Sequence, residues 1–242
     1  MTAIALDHVG VVVRDLDVAA HAWQALGFQV TPLAPHLPAG ITGNRCVMFG
    51  HGYIELIAVI APEGHSATLE KFLARYEGIH IISLATANAD ATAQRLGLTV
   101  IRSERETARG TARFARVVCA DLVPRLQLIE HLTPDLVWLP KQAIHPNHAR
   151  ALRSVVIASD NPGGLARHFA DAAGVAPAAD GAGLRLPLDH AAVRILPDLA
   201  SVFPRTIVPS LPFVAGIEVA TDDDARVGQI VEASGVAIRF VA

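Results

Sequence analysis

Two histidines and two glutamates recur in one pattern along this chain. His8 heads the apolar run "HVGVVV", and Glu55 follows 47 residues later inside "YIELIAV". His80 stands near the head of "GIHIISLAT", and Glu130 lies 50 residues beyond it in "LIEHL". Imidazole and carboxylate are the side chains that most often move protons near neutral pH. They are also donors for Zn²⁺, Fe²⁺, Mn²⁺, Ni²⁺ or Co²⁺, among which donor type alone does not choose. Side chains on a strand alternate faces, so Glu55 shares its face with Tyr53 and Ile57, and Glu130 with Leu128 and Leu132. A lone ionised carboxylate among such neighbours costs several kcal/mol. A bound metal would offset that cost; pairing of Glu55 with Arg45 and of Glu130 with Arg125 on a solvated rim is the plainer alternative.

The elements that must position these four residues repeat as well. The first unit reads as strand "HVGVVV", helix "LDVAAHAWQALG", then strands "FQVTPL", "NRCVMFG" and "YIELIAV". The second reads as strand "GIHIISLAT", helix "ADATAQRLG", then "LTVIRSE", "ARFARVVC" and "RLQLIEHL". Alternation and β-branched residues mark the strands, and helical spacing of Ala20, Trp23 and Leu26 marks the first helix. Both helices end in Leu-Gly, where glycine supplies a left-handed terminating conformation. Two βαβββ units, about 1–65 and 75–135, thus make a region over 1–140. The intervening "APEGHSATLEKFLARYE" is a linker with helical character. A third unit, about 150–198, puts Arg153 at the place of His8 and Arg194 near that of Glu55. A fourth, about 210–242, reads as strand, helix "DDARVGQIVEASG" and strand, with Ala215 at the histidine place. The second half, 150–242, is therefore expected to be degenerate and metal-free. Its apparently missing strands would leave a sheet edge open to pairing, and a homodimer is the expectation.

Other polar residues flank the pattern. Asn44, Arg45 and His51 are placed to bind an anionic substrate group. His131 competes with Glu130, since neighbouring strand residues face opposite ways. His145 and His148 in "HPNH" read as loop surface. Cys46 and Cys119 sit in apparent strands and read as reduced thiols rather than a disulfide framework. A composition 52% hydrophobic and 18% charged excludes disorder. A net charge of −3 without a basic stripe argues against nucleic acid. No apolar run approaches a membrane span and no leader is visible, so a cytoplasmic protein with small-molecule partners is expected.

A doubled βαβββ unit with His at its start and Glu at its end resembles the vicinal-oxygen-chelate superfamily, which includes glyoxalase I, bleomycin-resistance proteins and extradiol dioxygenases. "LDHVGVVVRDLD" followed by "GNRCVMFGHGYIELIAV", and later "EHLTPDLVW" with "HPN", are similar to its glyoxalase-like domain subgroup. The resemblance implies an α+β fold of tandem βαβββ modules, paired into a curved mixed sheet around a concave cavity. It implies a divalent metal (Zn, Ni, Co, Mn or Fe) held by His8, Glu55, His80 and Glu130, with Glu130 or Glu55 as the catalytic general base. The implied activity is Lewis-acid isomerase or lyase chemistry on a small oxygen-rich molecule. The alternatives are metal-free sequestration of a small molecule, as in bleomycin-resistance proteins, or an Fe(II) dioxygenase using His8, His80 and Glu130.

Overall fold

A computed structural model describes residues 4–107 and 109–242. The first unit comprises β1 (Leu6–Val12), α1 (Leu16–Ala25), β2 (Ala34–Pro35), β3 (Thr42–Met48) and β4 (Tyr53–Val59). Helix α2 (Ala67–Leu73) leads to the second: β5 (Gly78–Ala85), α3 (Ala89–Leu96), β6 (Val100–Thr107), β7 (Gly110–Cys119) and β8 (Arg125–His131). The third contains β9 (Ala149–Ala158), α4 (Pro162–Ala173), β10 (Ala178–Asp180), β11 (Gly183–Pro187) and β12 (Ala192–Leu196). The chain continues through β13 (Phe213–Thr221), β14 (Ile230–Ala233) and β15 (Val236–Val241).

Local chemistry sets the helix ends. Asp15 caps α1 by accepting from the amides of Asp17 and Val18, Asn88 caps α3 through the amide of Ala91, and Asn161 caps α4 ahead of Pro162. Gly97 and Gly174 close α3 and α4 with φ of 66° and 68°. In that region a Cβ would be strained, so glycine makes the turn at least cost. Leu16, Ala19, Ala20 and Trp23 form the buried stripe of α1. They join one large apolar core that extends through Leu56, Leu84, Ile157 and Phe169 to Ile238.

All fifteen strands form one mixed sheet, with the sequence β12-β9-β13-β5-β1-β4 along its middle. Each unit pairs its first strand in parallel with its last: β1 with β4, β5 with β8, β9 with β12. The first strands of two units lie antiparallel, β1 beside β5 and β9 beside β13. This is the α+β arrangement of tandem βαβββ modules, with the sheet of the first two units curled around a cavity lined from β1, β3, β4, β5, β6, β7 and β8.

The last unit departs from the sequence expectation. No helix forms over "DDARVGQIVEASG"; turns run to Gly228, whose φ is 86°, and β14 and β15 follow as a hairpin. Ser234 and Gly235, at φ 51° and 68°, make its tight turn. Val231 packs against the core while Ile230 is exposed, the alternation of a strand rather than a helical stripe. No helix among the described residues is long and apolar enough to cross a membrane.

Candidate active site

A cavity of about 530 Å³ opens between the first two units. His8, Asn44, Glu55 and Gln127 line its polar side; Ile57, Leu69, Ile81, Ile101 and Ile129 line its apolar side. The parallel register sets Tyr53 opposite His8 and Glu55 opposite Gly10. Glycine at position 10 leaves room for Ile81 and Ile57, since a Cβ there would approach Ile81 Cβ to 2.9 Å and Ile57 Cδ1 to 3.2 Å. His8 Nε2 lies 3.6 Å from Glu55 Oε2. The other carboxylate oxygen accepts from Asn44 Nδ2 at 2.5 Å and lies 3.5 Å from His36 Nε2. Burial would raise the Glu55 carboxyl, but His36, the neighbouring His8 and the Asn44 amide outweigh it and hold the group far below the ordinary carboxylate range. Glu55 is therefore an ionised carboxylate beside two imidazoles.

A β-bulge adds a residue that sequence reasoning missed. Between Leu6↔Leu84 and His8↔Ser83 the ladder skips Asp7, which stays buried. Asp7 Oδ1 lies 2.6 Å from His8 Nδ1, and His131 Nε2 lies 3.0 Å from Asp7 Oδ2. Burial again works against the charge, yet His131 and His8 lower the Asp7 carboxyl overall. An ionised Asp7 accepts the Nδ1 proton of His8, leaving Nε2 to face Ser83 Oγ at 2.7 Å. Gln127 Nε2 donates to the same Oγ at 2.6 Å. Asp7, His8 and Ser83 have the connectivity of a nucleophilic triad. Ser83, however, is wholly buried and already accepts from Gln127, so it orients the imidazole rather than attacking a substrate.

The structure brings His8 and Glu55 together and places His80 and Glu130 elsewhere. A second bulge, between Gly10↔Ile81 and Val11↔Ile79, excludes His80 from the ladder. Its ring stacks on Tyr76 and Phe72 at centroid distances of 4.0 and 4.8 Å, and Nε2 donates to the Tyr76 carbonyl at 2.9 Å. Burial lowers its pKa to about 4, so the ring is neutral at pH 7. Glu130 points to the helix side of β8, where it accepts from the amide of Ala89 at 2.8 Å, at the start of α3. In register, the partners of His8 are Ser83 and, one strand further, Gln127. The available signal was a polar residue of the opposite strand parity in each run, Ser83 in "HIISLA" and Gln127 in "RLQLIE".

The remaining expected site residues separate. Asn44 reaches the cavity and holds Glu55. Arg45, one residue on, turns to the other face and pairs with Asp17 at 2.7 Å. His51 stacks on His190 at 4.3 Å and lines a second cavity of about 430 Å³ with Asp7, His131 and Trp138. His145, expected at the surface, is buried, with Nε2 2.7 Å from the Met48 carbonyl. Cys46 and Cys119 are free thiols, and burial pushes Cys46 up to about 12.

The donor set does not fit a four-ligand metal centre. Ser83 and Gln127 are neutral, and Gln127 turns its amide nitrogen towards Ser83 and His8, at 2.6 and 3.4 Å. Among the described residues no three His, Cys, Asp or Glu side chains converge to hold a metal ion.

The second half carries a different quartet in the same register. Ser154 pairs with Glu218 as His8 pairs with Ser83, and Glu218 with Arg239 as Ser83 with Gln127. Arg194 is opposite Val156, as Glu55 is opposite Gly10. Ser154, rather than Arg153, thus matches His8, and Glu218 matches Ser83, while Ala215 is passed over between Gly216↔Val156 and Val214↔Ile157 and so keeps the place of His80, as expected. Glu218 accepts from Ser154 Oγ at 2.6 Å and Arg194 at 3.0 Å, and Arg194 also grips Asp180 at 2.7 Å. These charges satisfy one another and build a strut where the first half has its cavity.

This fold, with two first strands antiparallel over a shared cavity, is that of the vicinal-oxygen-chelate superfamily. The chain belongs to the glyoxalase-like domain family, whose pattern matches residues 6–173. Among solved structures, a hypothetical protein from Staphylococcus aureus is 16% identical, with 98% of each chain covered and a TM-score of 0.76. A mutant of 4-hydroxymandelate synthase from Streptomyces coelicolor is 15% identical over 92% of this chain and 72% of that one, with a TM-score of 0.61. A Streptomyces coelicolor methylmalonyl-CoA epimerase variant in complex with 2-nitronate-propionyl-CoA is 22% identical over 55% of this chain and 97% of that one, with a TM-score of 0.40. Comparison with curated proteins gives no match.

Proposed function

We propose that the chain is an enzyme of isomerase or lyase type that moves a proton on a small oxygen-rich molecule bound in the Glu55 cavity. The observation that carries this reading is an ionised carboxylate lining the cavity, with Oε2 facing an imidazole already oriented by Asp7. Glu55 takes the proton from a carbon beside a carbonyl, and the electron pair passes to the carbonyl oxygen. Arg105 lines the same cavity, 5.7 Å over the ring of Phe114, and its cation opposes the negative charge that develops there. Return of the proton to the same carbon from its other face gives an epimer; loss of a leaving group from the next carbon away from the carbonyl gives an alkene conjugated to it. Substrate entry displaces water around Glu55, which raises the carboxyl towards a useful basicity.

The test is exchange in D₂O, followed by proton NMR, over a panel of 2-oxo and 2-hydroxy acids. The expected result is deuterium uptake by at least one compound, slowed about a hundredfold in Glu55→Gln. Binding of a compound without exchange, at equal affinity in wild type and Glu55→Gln, would favour sequestration instead.

A further inference from the structure

We infer that Arg116 and Arg125 form a subsite for an oxyanionic group, carboxylate or phosphate, of the molecule bound in this cavity. The inference rests on the proposed function and names its substrate class. Both arginines line the cavity, Arg116 from β7 and Arg125 from β8. Among the described residues neither has an acidic side chain within ion-pair distance, and the Nε of each is buried without a hydrogen-bond partner. Four arginines outside the cavity are matched by acids: Arg45 with Asp17, Arg102 with Asp90, Arg113 with Glu104, Arg194 with Asp180.

Two half-buried cations with no counter-ion repel each other. Burial, followed by the charge of Arg116, lowers the pKa of Arg125. Arg125 is held over the face of Phe72 at 5.0 Å. An oxyanion between the forks would accept from the terminal guanidinium nitrogens of both and remove the repulsion, which a single lysine could not do. Arg125 stands two residues before Gln127 on β8 and Arg116 is opposite Ile129, two residues after it, so the pair brackets Gln127 along the sheet.

The experiment follows the Arg Nε–Hε resonances of the full chain while inorganic phosphate, and separately malonate, is added. Saturable shifts at Arg116 and Arg125 are expected, with binding weakened at least tenfold in Arg116→Gln and in Arg125→Gln. The exposed Arg167→Gln should bind as wild type. Tighter phosphate binding would assign a phosphorylated molecule, and tighter malonate binding a carboxylic acid. No saturable shift with either anion, or equal binding by the Arg116→Gln/Arg125→Gln double variant, would overturn the subsite. Glu55→Gln separates the two proposals. It should keep anion binding while losing exchange; anion binding by wild type with no proton exchange of any compound would sink the enzymatic reading alone, and unchanged KM in the double arginine variant would sink the subsite alone.

Discussion

His80 gives a stability prediction that can be worked through to a number. Its ring is clamped between Tyr76 and Phe72, and burial lowers its pKa from 6.5 to about 4. The depressed value means that the unfolded chain binds a proton where the folded chain does not. Stability from this group is full above the unfolded pKa of 6.5 and is lost as pH falls towards the folded value of about 4. Between pH 7 and pH 5 the loss is about 2 kcal/mol from linkage of this one ring. In His80→Phe the stack is kept and the titration removed. Some stability is lost at pH 7, about 1–3 kcal/mol, because the Tyr76 carbonyl loses its donor. The assay is urea unfolding of both proteins at pH 7 and pH 5. Wild type should lose about 2 kcal/mol more than the variant over that interval. Equal losses would refute the placement of His80 as a neutral, desolvated ring outside the cavity.

Three further outcomes follow from the hydrogen-bond pattern. Glu130→Ala removes an acceptor from the first amide of α3 and should cost about 1 kcal/mol in urea unfolding, leaving cavity binding unchanged by calorimetry. Glu218→Gln weakens the counter-charge to Arg194 and Arg239 and should lower stability by about 3 kcal/mol, read as a lower urea midpoint, again with the cavity intact. Asp7→Asn removes the charge that orients His8 and faces His131; it should destabilise at pH 7 and shift the His8 ring resonances in NMR, with little change at Glu130 or α3.

Much of the architecture was legible because strand alternation, Asp and Asn caps and the Leu-Gly helix ends all act locally. His8 and Glu55 were legible for the same reason: their strands, β1 and β4, pair in register without a bulge. Across β1 and β5 the ladder slips twice, and in "GIHIISLAT" only the opposite parity of Ser83 hints at the change of face. The slip moves His80 onto an aromatic stack, leaves Ser83 opposite His8, and brings Asp7 within reach of His8. Glu130 was misleading in another way. Its neighbours look buried, yet the buried partner is the amide end of a helix, and a helix N-terminus stabilises a carboxylate without a metal. The second-half quartet was hidden because Ser154, Arg194, Glu218 and Arg239 change residue type while keeping register. The helix expected near residue 228 failed because Gly228 and the Ser234–Gly235 turn favour a hairpin over a weak apolar stripe.

In the proposed function one centre, His8 with Glu55, completed by Asp7, Ser83 and Gln127, does the chemistry, and His80 and Glu130 do not. Side-by-side deuterium-exchange rates for Glu55→Gln, His8→Gln, His80→Phe and Glu130→Ala on a compound that exchanges with wild type test it most directly. The first two should lose about a hundredfold, and the last two should stay within about threefold of wild type. Equal loss in all four would restore a shared four-residue centre and contradict the geometry described for this fold.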